Sequence, residues 1–440
     1  MAFFSSWRKH EVEIEGRTPE RDRFRCGLRR RYVTVVTVNS TTDCDDNHSL
    51  PCDAALLRCR GQPTIGGMGT ASTSPLISES PEPGAVLASG KPSAGLGAAT
   101  RPLQVTWEMT GACEWRISPS RLSRLQRDKR ELSTAEAFNM IQDVAEMHVP
   151  LLVLTGGDPL LRPDVFPIVE FASQRSVRVS MTVVPTPLLT EAAIADLKAA
   201  GLMRIAFWLH GSTGSLHDAC SGSAGSHKRT LEMIGACHEV QLPVQVCTMV
   251  SRRNFHELDP LIELLTRLDV VLWNVFFLVP PDRDHSEDLL SAAEHEEVFA
   301  KLYAASKRVQ FQIKTSEGQH YQRFLLEQRV RESHGRARKS EVMMRANRGV
   351  NDSRGLVFIN RVGEVYPSRY LPVSAGNMMQ ESLSEVFRNS DLFASLRDTS
   401  RLKGKCGHCP VRTVCGGSRA RAYALTGDLF AEEPCCAYEP

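Results

Sequence analysis

The segment LQVTWEMTGACEWRISPS, residues 103–120, reads as an apolar strand from Leu103 to Met109, a small turn and a single cysteine, Cys113. No further cysteine follows until Cys220. Folds that alternate strands and helices bind ligands at the C-terminal ends of their strands, so a thiol at this place matters. Outward from it, short apolar or β-branched runs at 103–109, 150–155, 177–183, 203–209, 243–250, 270–278 and 309–314 alternate with amphipathic segments of helical length. The spacing predicts helices over about 133–147, 163–175, 190–200, 227–239, 255–267 and 291–306. LSTAEAF at 132–138 carries a helix start signal, with Ser133 as N-cap and Glu136 three residues later. This alternation predicts an α/β fold with parallel strands and crossover helices, as an open sheet or a full or partial barrel.

The flanks differ from this core. Residues 1–62 are rich in Arg and short of sustained periodicity, with one strand-like run, RYVTVVTV at 31–38. Residues 63–101 are dominated by Gly, Ser, Ala, Thr and Pro, and read as a linker that buries too little apolar surface to offset its ordering entropy. The barrel region is expected over 102–325, followed by a basic surface loop at 326–355. A hairpin, GLVFIN-RV-GEVYPS at 355–368, and helices at about 382–389 and 391–397 then lead into a cysteine-rich module over 356–440. A module this small is expected to be stapled by a metal.

A formal charge of +2 on 440 residues gives no global attraction to nucleic acid or to an anionic membrane surface. No run reaches the roughly 18 apolar residues of a membrane span, and the N-terminal residues lack an apolar secretion core. The expectation is therefore a cytoplasmic protein with no nucleic-acid and no membrane partner. In such a compartment thiols stay reduced, and clustered cysteines read as metal ligands. Five of the thirteen cysteines fall in the last 35 residues: Cys406, Cys409, Cys415, Cys435 and Cys436.

Two segments carry chemistry. In KCGHCPVRTVCGGSRARAYALTGDLFAEEPCCAY, 405–438, a CxxC pair, a third cysteine five residues on and a distant fourth supply four soft thiolates. Such a set holds tetrahedral zinc or a cubane iron–sulfur cluster, and spacing alone does not separate them. In LVLTGGDPLLRP, 152–163, Gly156 and Gly157 would let a ligand approach the backbone, Asp158 offers an acceptor, and Pro159 ends the strand. By itself this is also an ordinary turn.

Taken in order, the first strand with its cysteine loop, LTGGDP, the (β/α) repeats, GEVYPS and the cysteine tail resemble the radical S-adenosylmethionine (radical SAM) superfamily. The closer resemblance is to members with a SPASM-type auxiliary cluster module that modify haem precursors or peptides. It covers about 102–440. It implies a partial (β/α)6 TIM-like barrel followed by a small cysteine-rich module. It implies that Gly156, Gly157, Asp158 and Pro159 contact SAM, and that Cys406, Cys409, Cys415 and Cys436 hold an auxiliary 4Fe–4S cluster. Cys436 is preferred to Cys435 because the family has a proline, one residue, then the ligand. The implied chemistry is hydrogen abstraction by a 5′-deoxyadenosyl radical from a small-molecule (tetrapyrrole) or peptide substrate, with a flavodoxin or ferredoxin as electron donor.

The family's SAM cluster needs CxxxCxxC after the first strand. Cys113 matches the first position, whereas Ile117 and Ser120 occupy the others. An isoleucine has no donor atom, and a serine hydroxyl is a poor substitute for a thiolate. Other departures accompany these: Trp208 and His210 where a Ser-x-Asp-Gly run is common, Ser221-Gly222 where an Arg-Gly pair is common, and Cys247 where an Asn is common. For His210 a structural strand-end role stands beside a ligand or acid–base role. Two functions stay open on the sequence: a radical SAM enzyme with an auxiliary cluster, and a non-catalytic iron–sulfur scaffold or electron-transfer relative. A zinc-stapled barrel is a third.

Overall fold

The computed structural model describes residues 101–113, 127–284, 286–332 and 355–440. The expectations for 1–62, for the linker up to residue 100 and for 333–354 lie outside these residues, as do Ile117 and Ser120.

Seven strands follow the predicted runs: β1 (Gln104–Glu108), β2 (Leu152–Thr155), β3 (Val179–Val183), β4 (Arg204–Trp208), β5 (Val244–Val250), β6 (Leu272–Phe277) and β7 (Gln312–Ser316). Each pairs in parallel with the next in sequence order. The crossovers are α1 (Thr134–Glu146), α2 (Val165–Gln174), α3 (Glu191–Ala199), then α4 (Gly214–Ser221) with α5 (Ser226–Glu239), α6 (Leu258–Arg267) and α7 (Ala292–Ser306). The capping box read at Ser133 and Glu136 is present, each side chain bonding the other residue's backbone N–H.

The strands have two unlike faces. Val105, Trp107, Leu152, Leu154, Val179, Met181, Ile205 and Phe207 are fully buried against helix residues such as Met140, Ile141 and Ile168. The alternate positions are polar or half-buried, among them Gln104, Thr106, Arg204, Trp208 and Lys314. They meet on the concave side: Lys314 Nζ on β7 donates to Gln104 Oε1 on β1 at 3.2 Å. Five strands separate β7 from β1 in the sheet. Only a strongly curled sheet brings those two side chains together, and the result is a barrel that is not closed.

The hairpin β8 (Leu356–Ile359) and β9 (Glu364–Tyr366) does not stand apart in a separate module. β8 pairs in parallel with β1, and β9 with β10 (Gly376–Asn377) extends the same sheet. After β7, α8 (His320–Glu332) makes 326–332 helical, where the sequence reading expected loop. The tail contains α9 (Leu383–Asn389), α10 (Asp391–Arg397), a short α11 (Gly404–His408) and α12 (Arg419–Thr426). Among the described residues no helix is long and apolar enough to cross a membrane.

Candidate functional site

At the C-terminal ends of β1 and β2 two turns pack backbone against backbone. Gly157 N–H donates to Thr110 O at 2.8 Å, and Asp158 N–H donates to Ala112 O at 2.7 Å. A Cβ on Gly157 would sit 1.9 Å from Ala112 O, and one on Gly156 would sit 2.4 Å from Thr110 O. The glycines are thus required by the neighbouring turn, the one that carries Cys113, and not only by a ligand. Asp158 is fully buried. Its Oδ1 accepts from Leu160 N at 3.0 Å and its Oδ2 from the Thr186 hydroxyl at 2.6 Å. Two further residues, not singled out in the sequence, lock the pair of turns. Glu131 accepts from the Thr110 hydroxyl at 2.8 Å and from Gly111 N at 2.9 Å. Arg162, fully buried and paired with Asp164 at 2.7 Å, donates to the carbonyls of Met109 and Leu132.

The concave face beyond these turns is lined by aromatic and cationic groups. Trp208 faces inward, its ring 5.1 Å from Phe276 and 5.6 Å from His210, and Phe276 lies 6.5 Å from Tyr370. His210 Nδ1 accepts from Met249 N–H, and His217 Nδ1 accepts from His210 N–H. Both rings are therefore held as the Nε2–H tautomer. Burial pushes the His210 pKa down to about 3, with His217 beside it adding to the effect, and that of His217 down to about 4. Cys247 faces the same lumen, accepts from Gln245 Nε2 at 3.2 Å, and has its thiol pushed up to about 11 by burial.

The tail builds a second site. Cys406, Cys409, Cys415 and Cys436 line one pocket together with His320, Arg323, Lys405 and Arg412. Cys435 is buried outside it, with Arg421 and Glu433 acting on its thiol. Burial raises the thiol pKa values of Cys406 and Cys415, and pushes that of Cys436 to about 11. Two backbone donors already aim at sulfur: Glu433 N–H at Cys406 Sγ, 3.3 Å, and Gly417 N–H at Cys415 Sγ, 3.4 Å. Among the described residues no three His, Cys, Asp or Glu side chains are gathered tightly enough to share one metal ion.

A buried network fastens this pocket to the barrel. Arg421 pairs with Glu433 at 3.0 Å, both essentially without solvent exposure. Arg421 also donates to Leu278 O just past β6 and to Glu317 O just past β7. Glu317 in turn accepts from the hydroxyls of Ser368 and Ser418. Burial works against the charge on Glu433, yet Arg421, with the Ser418 backbone N–H, holds its pKa at about 2.

The family model described as the radical SAM superfamily matches residues 111–265. An AdoMet-dependent heme synthase of Methanosarcina barkeri (strain Fusaro / DSM 804) is 37% identical over 340 residues, which are 77% of this chain and 97% of the relative. The chain belongs to the radical SAM superfamily. A PqqA peptide cyclase of Rhodopseudomonas palustris is 26% identical, the match covering 77% of this chain and 88% of the cyclase. The solved structure of Streptococcus suis SuiB bound to S-adenosylmethionine superposes with a TM-score of 0.60 at 12% identity, covering 77% of this chain and 78% of SuiB. The SuiB superposition supports the partial, unclosed barrel.

The radical SAM superfamily uses SAM and a 4Fe–4S cluster. In this member the donor set after β1 does not fit that cluster, because Cys113 is the one thiol between 109 and 120. Of the next three thiols, Cys247 alone faces the lumen, which still leaves the set one short. Cys237 is packed in the helix–sheet core and Cys220 sits on α4. The tail cysteines do fit a cluster: four thiols surround one pocket, backbone N–H groups point at two of them, and cations stand around the rim to balance thiolate charge. A polynuclear cluster spaces its ligands farther apart than one zinc ion does, in keeping with thiols that line a pocket without closing on a point.

Proposed function

We propose that this chain is an iron–sulfur oxidoreductase of the radical SAM/SPASM type acting on a tetrapyrrole, with an auxiliary 4Fe–4S cluster held by Cys406, Cys409, Cys415 and Cys436. The observation that carries the cluster assignment is the convergence of those four thiols on one pocket from which the adjacent Cys435 is excluded. When bound, such a cluster supplies one-electron storage and transfer. The pocket residues tune it: Glu433 N–H and Gly417 N–H stabilise negative charge on sulfur. Reduced thiols and a low-potential donor such as a flavodoxin or ferredoxin imply a cytoplasmic setting.

The tetrapyrrole reading rests on two supports. Three heme synthases match at 30–37% identity, against 25–28% for the peptide cyclases and the mycofactocin maturase. The concave face offers flat rings, Trp208, Phe276 and Tyr370, suited to stacking on a macrocycle. We assign Gly156, Gly157, Asp158 and Pro159 to the wall of the SAM pocket, because they lie at the end of β2 against the Cys113 turn. Asp158 there is a fixed acceptor, its orientation set by Thr186 and Leu160.

Ile117 and Ser120 favour a second reading, a scaffold that binds the tail cluster and a tetrapyrrole without cleaving SAM. Anaerobic reconstitution of the full chain with iron and sulfide, followed by incubation with SAM and dithionite, separates the two. Two clusters per chain with 5′-deoxyadenosine formed supports the oxidoreductase. One cluster and no nucleoside supports the scaffold. A chain that takes up zinc but no iron would sink both.

A further inference from the structure

His320 opens α8, is fully buried, and lines the four-cysteine pocket. Neither its Nδ1 nor its Nε2 has a hydrogen-bond partner among the described residues. A neutral imidazole carries one N–H donor and one acceptor, and leaving such groups unmade in a buried interior is destabilising. Its neighbours give no relief. The Phe299 ring lies 4.8 Å away and the Phe277 ring 6.4 Å away. His295 lies tilted at 5.0 Å, with its own Nδ1 already engaged by Ser291 O at 2.9 Å. A phenylalanine would fill this aromatic wall at no polar cost, so packing does not explain the nitrogens. Among the cations of the pocket, Lys405 bonds Cys436 O, Arg412 bonds Gly407 O, and Arg323 bonds Glu296 and Glu327 through its terminal nitrogens while its Nε has no partner among the described residues. With both ring nitrogens open, the imidazole is the side chain of this pocket with the most unmet hydrogen-bonding capacity among the described residues, Arg323 Nε being the other open atom.

We infer that His320 donates an N–H hydrogen bond to a sulfur of the cluster held by Cys406, Cys409, Cys415 and Cys436. Reduction adds negative charge to the cluster, and an N–H aimed at sulfur stabilises the reduced form more than the oxidised one, raising the potential. His320 is thus a tuning residue with no bond to iron, joining the backbone donors of Glu433 and Gly417. The inference rests on the cluster reading above.

The test uses the full chain, reconstituted anaerobically with iron and sulfide, as wild type, His320→Phe and His320→Gln. Iron per chain is measured first. A wild-type chain that binds no iron, or whose iron survives Cys406→Ala/Cys409→Ala, sinks the cluster reading before His320 is reached. With the cluster present, His320→Phe is expected to keep the iron and to be about tenfold harder to reduce, a fall in the EPR midpoint of about 59 mV for one electron. His320→Gln, which keeps an N–H, should return toward the wild-type value. A loaded His320→Phe with the wild-type midpoint overturns the inference. Should His320→Phe fail to load, the readout becomes pulsed EPR of reduced chain labelled with 15N-histidine. A weak histidine-nitrogen coupling present in wild type and absent in His320→Gln supports the inference. Spectra that are identical, or a coupling as strong as a directly bound nitrogen, overturn it.

Discussion

Gly157→Ala and Gly235→Ala are the same substitution, and the structure assigns them opposite signs. At Gly157 the new methyl would sit 1.9 Å from Ala112 O and 2.5 Å from its carbonyl carbon. Ordinary contact begins near 3.4 Å, so the Cys113 turn would have to retreat by roughly 1.5 Å, the difference between the two distances. That movement breaks the hydrogen bonds from Gly157 N to Thr110 O and from Asp158 N to Ala112 O. Two bonds at about 1 kcal/mol each and overpacking at about 1–3 kcal/mol give a loss of roughly 3–5 kcal/mol. At Gly235, inside α5, the methyl meets nothing within 4 Å. Removing a helix-interior glycine there should stabilise by about 0.5–1 kcal/mol. A chain of this size does not unfold in one step, so hydrogen exchange read peptide by peptide is the suitable assay. Gly157→Ala should accelerate exchange at 105–113 and 152–158, and leave 404–436 unchanged. Unchanged exchange at both turns would refute the view that the glycines are there for the backbone of the Cys113 turn.

Cys436→Ser is expected to remove most of the iron bound at the tail, while Cys435→Ser keeps it; equal losses by elemental analysis would contradict the pocket assignment. Glu433→Leu leaves Arg421 buried without its carboxylate and should cost about 3–5 kcal/mol, seen as faster exchange in 404–436, whereas the double change with Arg421→Met should recover most of it. Burial holds His217 and His295 down to about 4, so both are neutral when folded and protonate when unfolded as pH falls below about 6.5. Stability of the metal-free chain should therefore be complete above that pH and decline toward pH 4, by up to about 1.4 kcal/mol per pH unit per histidine. Denaturant midpoints that stay flat or rise between pH 6.5 and 5 would exclude this.

Much of the barrel was legible because its signals are local. Ser133 and Glu136 announce α1, and the apolar runs fall within two or three residues of β1 to β7. What escaped depends on distant partners. HYQRFLLEQRVRE gives little amphipathic signal, since α8 buries His320 and Arg323 along with its apolar residues, each in a setting made by the tail. The tail hairpin reads as part of a separate module until β8 is seen lying beside β1, a pairing between residues 250 apart in sequence. Gly156 and Gly157 were read as making room for a ligand, and the nearer reason is another turn of the same chain. Arg162 and Arg421 could not be found by inspection, because an arginine is rarely fully buried and nothing local marks the ones that are. The choice of Cys436 over Cys435 rests on a resemblance and was not readable from the spacing of the two adjacent thiols.

The two candidate sites differ in how complete they are on their own. Around Cys113 the polar atoms have protein partners: the Thr110 hydroxyl and Gly111 N on Glu131, Thr110 O and Ala112 O on the Gly157 and Asp158 amides, and both Asp158 oxygens on Thr186 and Leu160. The tail pocket does not close in this way. Four thiols line it, burial resists the ionisation of Cys406, Cys415 and Cys436, and the His320 nitrogens have no partner among the described residues. The proposed cluster would resolve these together, since its iron would take the place of the thiol protons and its sulfide would accept N–H donors. Because Arg421 and Glu317 bind this pocket to the ends of β6 and β7, whatever orders it also orders that side of the barrel mouth. A tail cluster of the kind proposed would on this argument be part of how the mouth is built, whether or not SAM is cleaved beside β1.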